Sequence, residues 1–214
     1  MVDAYCHPIY KNMLTIEKKK CKMKKQKTLR RISIMKKIDI SQMAVIGVMT
    51  AVLCVLAPIT LPIGLVPLSL ANFVIFISVY VLGIWKGTVS CILYLLIGLI
   101  GVPVFSGFSS GPAKLLGPTG GYLIGYVFMA LIAGFFIDRF KCRKLPSLLG
   151  MLLGTLVLYL LGTVWLAYQA GMTFMAALWA GVIPFIAGDL AKIIIALFLG
   201  PILRERLQKA GLYK

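Results

Sequence analysis

The sequence predicts an all-α integral membrane protein with six transmembrane helices, both termini in the cytoplasm, and a short interfacial segment before the last helix. Three observations carry this expectation. Of the 214 residues, 60% are hydrophobic and only 14% charged, and the mean hydropathy is +0.96, well outside the globular range. The apolar residues gather in runs close to the ~20 residues that a helix needs to cross a ~30 Å hydrocarbon core. The charge is segregated, with twelve of the 23 Lys and Arg residues inside residues 1–37 against two acids, Asp3 and Glu17.

Residues 1–38 are expected to form a basic, disordered cytoplasmic extension; translation from an internal methionine, Met23 or Met35, is an alternative. The stretch is too polar for a signal peptide, and it suits attraction to the anionic face of a lipid bilayer. The net charge of +17 could suggest nucleic acid, but no aromatic residue interleaves with the bases from Glu17 to Lys37, so no nucleic-acid partner is expected.

The six-helix domain is expected over residues 39–206. Its first span is Ser41–Pro58, followed by the proline-rich connection Pro58–Pro67. The second and third are Leu68–Ile84 and Gly87–Val102, with Trp85-Lys86-Gly87 as the turn between them. A Gly/Ser/Pro-rich loop, Pro103–Pro118, leads to the fourth span, Thr119–Ile137, and the basic loop Asp138–Pro146 to the fifth, Leu148–Tyr168. From Phe174 to Leu203 is thirty residues, about 45 Å of helix and too long for one untilted span. Pro184 and Gly188 interrupt it. Met172–Ile183 is therefore expected to be interfacial or re-entrant, with the last span starting near Pro184. Residues 207–214 are left as a cytoplasmic tail.

Loop charges set the orientation. The basic tail, Lys86, the Arg139–Lys144 cluster and Arg204, Arg206, Lys209 and Lys214 fall on one side. The opposite loops carry Lys114 alone. The positive-inside rule places the basic side in the cytoplasm.

Asp189 and Lys192 are the exception inside this hydrocarbon. Three residues apart on a helix, they share a face. A charge in the bilayer core costs roughly 2.5–3.5 kcal/mol on insertion scales and faces a partner or a cavity. A purely structural ion pair explains them poorly, because buried pairs are weak stabilisers; a ligand site explains them better. They fall in the opening turns of the last span, toward the outside. The Pro103–Pro118 loop, long for a connector, is a candidate lid as well as a plain connection; its glycines permit close backbone approach, and Phe105, Phe108 and Tyr122 offer apolar contact. Asn72 needs a polar partner, across helices or in a pocket. Trp165 reads as an interface anchor or a ligand contact, and Tyr94 is equally open. Gly47-x-x-x-Ala51 is a small-residue face that permits close helix approach.

Several chemistries are excluded. No G-x-x-x-x-G-K-[ST] loop occurs, so the chain is no ATPase. The single histidine, His7, lies in the tail, and the five cysteines have no C-x-x-C spacing. Catalytic residues, a resident metal and a cofactor are accordingly not expected.

These segments together resemble the BioY family, the biotin-specific substrate-binding (S) components of energy-coupling-factor (ECF) transporters. The resemblance spans Ser41 to Leu203. It rests on Tyr94-Leu-Leu-Ile-Gly-Leu-Ile-Gly-Val-Pro-Val-Phe105, Leu116-Gly-Pro-Thr-Gly-Gly-Tyr-Leu-Ile-Gly-Tyr126, Tyr159-Leu-Leu-Gly-Thr-Val-Trp165 and Pro184-Phe-Ile-Ala-Gly-Asp-Leu-Ala-Lys192. It implies a multi-pass protein of a bacterial-type cell membrane that binds biotin outside, with Asp189 and Lys192 lining the pocket and Lys114 as a second cation. Asn72, Tyr94, Phe105, Tyr122 and Trp165 complete the candidate substrate-binding set. The implied partners are a transmembrane coupling subunit, docked through Gly47 and Ala51, and two cytoplasmic ATP-binding subunits. The family often carries a Thr-Leu-Gln-Thr-like segment where this chain has Ser69-Leu-Ala-Asn72, so Asn72 stands in for that glutamine or the contact is lost. An S component for another vitamin, or a solitary ion-coupled carrier using Asp189, is the alternative.

Overall fold

Apolar sequence of bilayer length folds here into a helical bundle in which glycines set the turns and close contacts. The computed structural model describes residues 40–61, 66–140 and 142–211; the expected extension 1–38 and part of the proline-rich connection lie outside them. The elements are α1 (Ile40–Leu56), β1 (Thr60–Leu61), β2 (Leu68–Ser69), α2 (Ala71–Ile100), α3 (Pro112–Leu116), α4 (Gly120–Arg139), α5 (Lys144–Ala170), α6 (Phe174–Gly181), a 3₁₀ turn (Ile183–Phe185) and α7 (Ile186–Lys209). Among the described residues, Ala71–Ile100, Gly120–Arg139, Lys144–Ala170 and Phe174–Lys209 are long and apolar enough to cross a membrane, and Ile40–Leu56 is a shorter apolar helix.

Two of the four long segments are interrupted. Within α2, Gly83 has φ 76° and ψ 178°, a conformation open to glycine but costly for other residues. There the chain reverses: a Cβ placed on Gly87 would lie 2.8 Å from Val79 Cα, whereas eight residues of continuous helix separate by about 12 Å. A reversal therefore falls near the turn expected at Trp85–Gly87, but it pivots on Gly83, and Trp85–Gly87 are helical. The break frees backbone groups that need partners. Asp138 at the end of α4 accepts from the Ile84 N–H at 2.7 Å. Arg204 Nη1 in α7 donates to the Tyr80 carbonyl at 3.3 Å and to Asp138 Oδ1 at 3.2 Å. One ion pair thus satisfies both sides of the reversal and ties α2, α4 and α7 together.

The second interruption separates α6 from α7. Thr173 caps α6, its Oγ1 accepting from the Ala176 N–H at 3.3 Å, and Pro184 sits in the 3₁₀ turn. The break lies where the length argument expects one, and α7 begins at Ile186.

The tightest packing joins α4 and α5. Cβ atoms on Gly121 and Gly125 would meet Trp165 and Leu158 of α5, while on Gly150 and Gly154 they would meet Phe136 and Met129 of α4. Gly121-x-x-x-Gly125 and Gly150-x-x-x-Gly154 are therefore reciprocal small-residue faces, the means by which helices approach closely in lipid. They are legible in the sequence, although attention to Gly47-x-x-x-Ala51 passes over them. On α1, Val45, Met49 and Leu53 are buried, and Thr50 Oγ1 lies 3.0 Å from Ser90 Oγ. Gly47 and Ala51 face outward.

Candidate functional site

The site is assembled at the N-terminal ends of α2 and α7. Because α7 starts at Ile186, Asp189 occupies its first turn, where the helix dipole favours a negative charge. Lys192 follows one turn on, and its Nζ lies 2.9 Å from Asp189 Oδ1. Both side chains are buried, 7% exposed for Asp189 and 11% for Lys192. An ion pair taken this far from water needs further hydrogen bonds on both partners, and here both have them. Asp189 Oδ2 accepts from Tyr159 OH at 2.6 Å and from Asn72 Nδ2 at 3.1 Å. Lys192 Nζ also donates to the Ser69 carbonyl at 2.7 Å.

That last bond reaches the short antiparallel hairpin in which Thr60 pairs with Ser69 and Leu61 with Leu68. Ser69 is itself fastened, its Oγ donating to the Ala57 carbonyl at 2.9 Å and accepting from the Ala71 N–H at 3.0 Å. Lys192 therefore links the ion pair to the chain that joins α1 and α2.

The polar groups open into a cleft of about 350 Å³, its mouth included, walled by Val66–Ser69, Asn72, Tyr122, Tyr126, Leu158, Tyr159, Gly181 and Phe185 around Asp189 and Lys192. A few convergent polar groups among aromatic and aliphatic walls are what small-molecule pockets contain. A carboxylate and an ammonium side by side can serve a ligand that carries both N–H donors and acceptor oxygens.

The eight residues expected at the site separate into two groups. Asn72, Tyr122, Asp189 and Lys192 come together around the cleft. Tyr122 also fastens the α6 end, its OH donating to the Gly181 carbonyl at 3.1 Å. Lys114, Tyr94, Phe105 and Trp165 are outside the residues that line the cleft. Lys114 lies in α3, partly exposed. Phe105 is fully buried and meets Tyr94 edge-on, with ring centroids 5.7 Å apart, and it packs against Gly98. Trp165 holds the loop, its Nε1 donating to the Gly117 carbonyl at 2.9 Å. The Pro103–Pro118 loop is further fastened by Gly111 N–H to Gly98 O at 2.8 Å and Gly107 N–H to Pro58 O at 3.1 Å. It is the α1–α2 hairpin that borders the cleft.

Sequence reasoning does not single out Tyr159, Ser69 or Tyr126. Tyr159 heads one of the recognised segments, but a tyrosine in an apolar run is indistinguishable from core or interface until its acidic partner, thirty residues on, is seen beside it. Ser69 contributes a main-chain oxygen, for which no side-chain signal exists.

Comparison with known proteins agrees with this architecture. The sequence profile of the BioY family matches residues 25–209. A probable biotin transporter BioY of Pyrococcus horikoshii is 41% identical over 167 residues, covering 78% of this chain and 96% of that protein. The biotin transporter BioY2 of Lactococcus lactis subsp. cremoris is 31% identical over 179 residues, covering 84% and 98%. A crystal structure of the S-component for biotin from an ECF-type ABC transporter superposes with a TM-score of 0.74 at 31% identity, covering 79% of this chain and 94% of that one.

Proposed function

The chain belongs to the BioY family, and from that premise we propose that it is the biotin-binding S component of an ECF transporter, taking up biotin with energy from separate ATP-binding partners. The observation that carries the proposal is the buried Asp189–Lys192 pair, with its Asn72 and Tyr159 donors, opening on the cleft beside the α1–α2 hairpin. Biotin's ureido ring presents two N–H donors and a carbonyl, and its side chain ends in a carboxylate. In this reading Asp189 accepts from N–H groups, Lys192 donates to a ligand oxygen, and Tyr122 and Phe185 give apolar contact. Capture is binding and desolvation alone, with no covalent step.

The membrane arrangement proposed is six spans in a bacterial-type cell membrane, with both termini cytoplasmic and the cleft toward the outside. The reversal at Gly83 supports counting α2 as two spans, and the interruption at Ile183–Phe185 supports α6 as an interfacial helix, with Met175 and Trp179 exposed. The first half of α2, residues 71–82, covers only about 18 Å of a ~30 Å core. Gly47 and Ala51, outward-facing on α1, form the proposed docking face for the transmembrane coupling subunit, which two cytoplasmic ATP-binding subunits energise.

Reconstituted into liposomes with the coupling and ATP-binding subunits, the chain is expected to accumulate labelled biotin only when ATP is supplied to the face opposite the ligand. ATP-independent accumulation by the chain alone, driven by a pH gradient, would sink the reading in favour of a solitary carrier.

A further inference from the structure

We propose that Tyr159 is a positioning residue for Asp189, acting on the ligand through that carboxylate; the proposal rests on the reading of Asp189 as a ligand-binding group. Three donors hold Asp189, Lys192 Nζ on Oδ1 and both Tyr159 OH and Asn72 Nδ2 on Oδ2. Asn72, Lys192 and Tyr159 all line the polar cleft. Tyr159 alone among these donors also lines a second, apolar groove between α5 and α7, with Leu152, Leu156, Ile186 and Leu190. Leu156, Ile186 and Leu190 are exposed on the outer surface of the bundle, so in a bilayer this groove opens on hydrocarbon. Asp189 borders both spaces and could turn its carboxylate toward either.

The Tyr159 bond, the shortest of the three at 2.6 Å, decides the matter. It comes from a side chain that borders both the cleft and the groove, and it shares Oδ2 with Asn72. A carboxylate has about four acceptor positions, and three are taken here, so an incoming ligand with two N–H groups needs one donor to move. Asn72 and Lys192 are the ones that can yield toward the ligand. Tyr159 stays and keeps the carboxylate aimed into the cleft.

A double-mutant cycle on the purified full chain tests this, with equilibrium binding of labelled biotin as the readout. Loss of a hydrogen bond to a charged group predicts that Tyr159→Phe weakens binding about tenfold or more in the native background. In an Asp189→Asn background the same change is expected to add less than about twofold, because there is no carboxylate left to aim. Equal losses in both backgrounds, the signature of direct ligand contact or of packing, would overturn the proposal, as would unchanged affinity in Tyr159→Phe. If Asp189→Asn itself binds like the native protein, the site assignment fails and the proposal with it. Binding stoichiometry gives the folded fraction of each variant, so partial unfolding appears as fewer sites and leaves the affinities comparable.

Discussion

Replacing Lys192 with alanine is expected to weaken biotin binding by about 100-fold and to destabilise the ligand-free protein as well. Lys192 is the charge partner of Asp189 at 2.9 Å and the donor to the Ser69 carbonyl. Removing it leaves a carboxylate 7% exposed without a counter-charge, and breaking a buried pair in this way costs about 3–5 kcal/mol of stability. The affinity loss has a separate origin in the missing charged donor, worth about 1.5–3 kcal/mol or roughly 10–150-fold. The two effects separate in a third variant. With Asp189 and Lys192 both replaced by leucine, no charge is stranded, so thermal stability in detergent should recover much of the loss while biotin binding stays at least as weak as in Lys192→Ala. Recovery of binding in the double leucine variant would show the pair to be structural.

The second large effect is expected from Gly162. A Cβ at this position would overlap the Tyr122 ring, which lines the cleft and donates to the Gly181 carbonyl. Gly162→Leu must push Tyr122 aside, with an overpacking cost of about 1–3 kcal/mol. Losing the apolar contact of Tyr122, worth about 1.5 kcal/mol or more, should separately reduce biotin affinity by at least about tenfold. Gly47→Leu is the contrast. Nothing lies within 4 Å of a Cβ there, so stability should change by no more than about 0.5 kcal/mol and binding not at all, while uptake with the coupling subunit falls. Normal affinity in Gly162→Leu would remove Tyr122 from the site, and normal uptake in Gly47→Leu would remove α1's outward face from docking.

How legible the molecule was in its sequence depended on the reach of each signal. Asp189 and Lys192 stood out because a charge in an apolar run is costly wherever it lies, and their spacing of three puts them on one face whatever surrounds them. The interruption near Pro184 followed from length and from proline's missing donor. Trp85-Lys86-Gly87 carries the charged residue and the glycine expected of a turn, whereas the reversal falls at Gly83. Gly83 carries only the backbone freedom, and the groups that stabilise the break, Asp138 and Arg204, are more than fifty residues away. Distance in the chain likewise conceals the bonds from Tyr159 to Asp189 and from Trp165 to the Gly117 carbonyl, which cannot be read from either segment alone. The hairpin at the cleft leaves no side-chain signal, because its bond to Lys192 is made by a main-chain oxygen.

The measurement that bears most directly on the central claim is equilibrium binding of labelled biotin to the purified, detergent-solubilised chain, alone and without nucleotide. Saturable, high-affinity binding that Asp189→Asn and Lys192→Ala each weaken is the predicted result. Absence of saturable binding by the folded native chain would contradict biotin as its ligand, and native affinity in both variants would contradict the site.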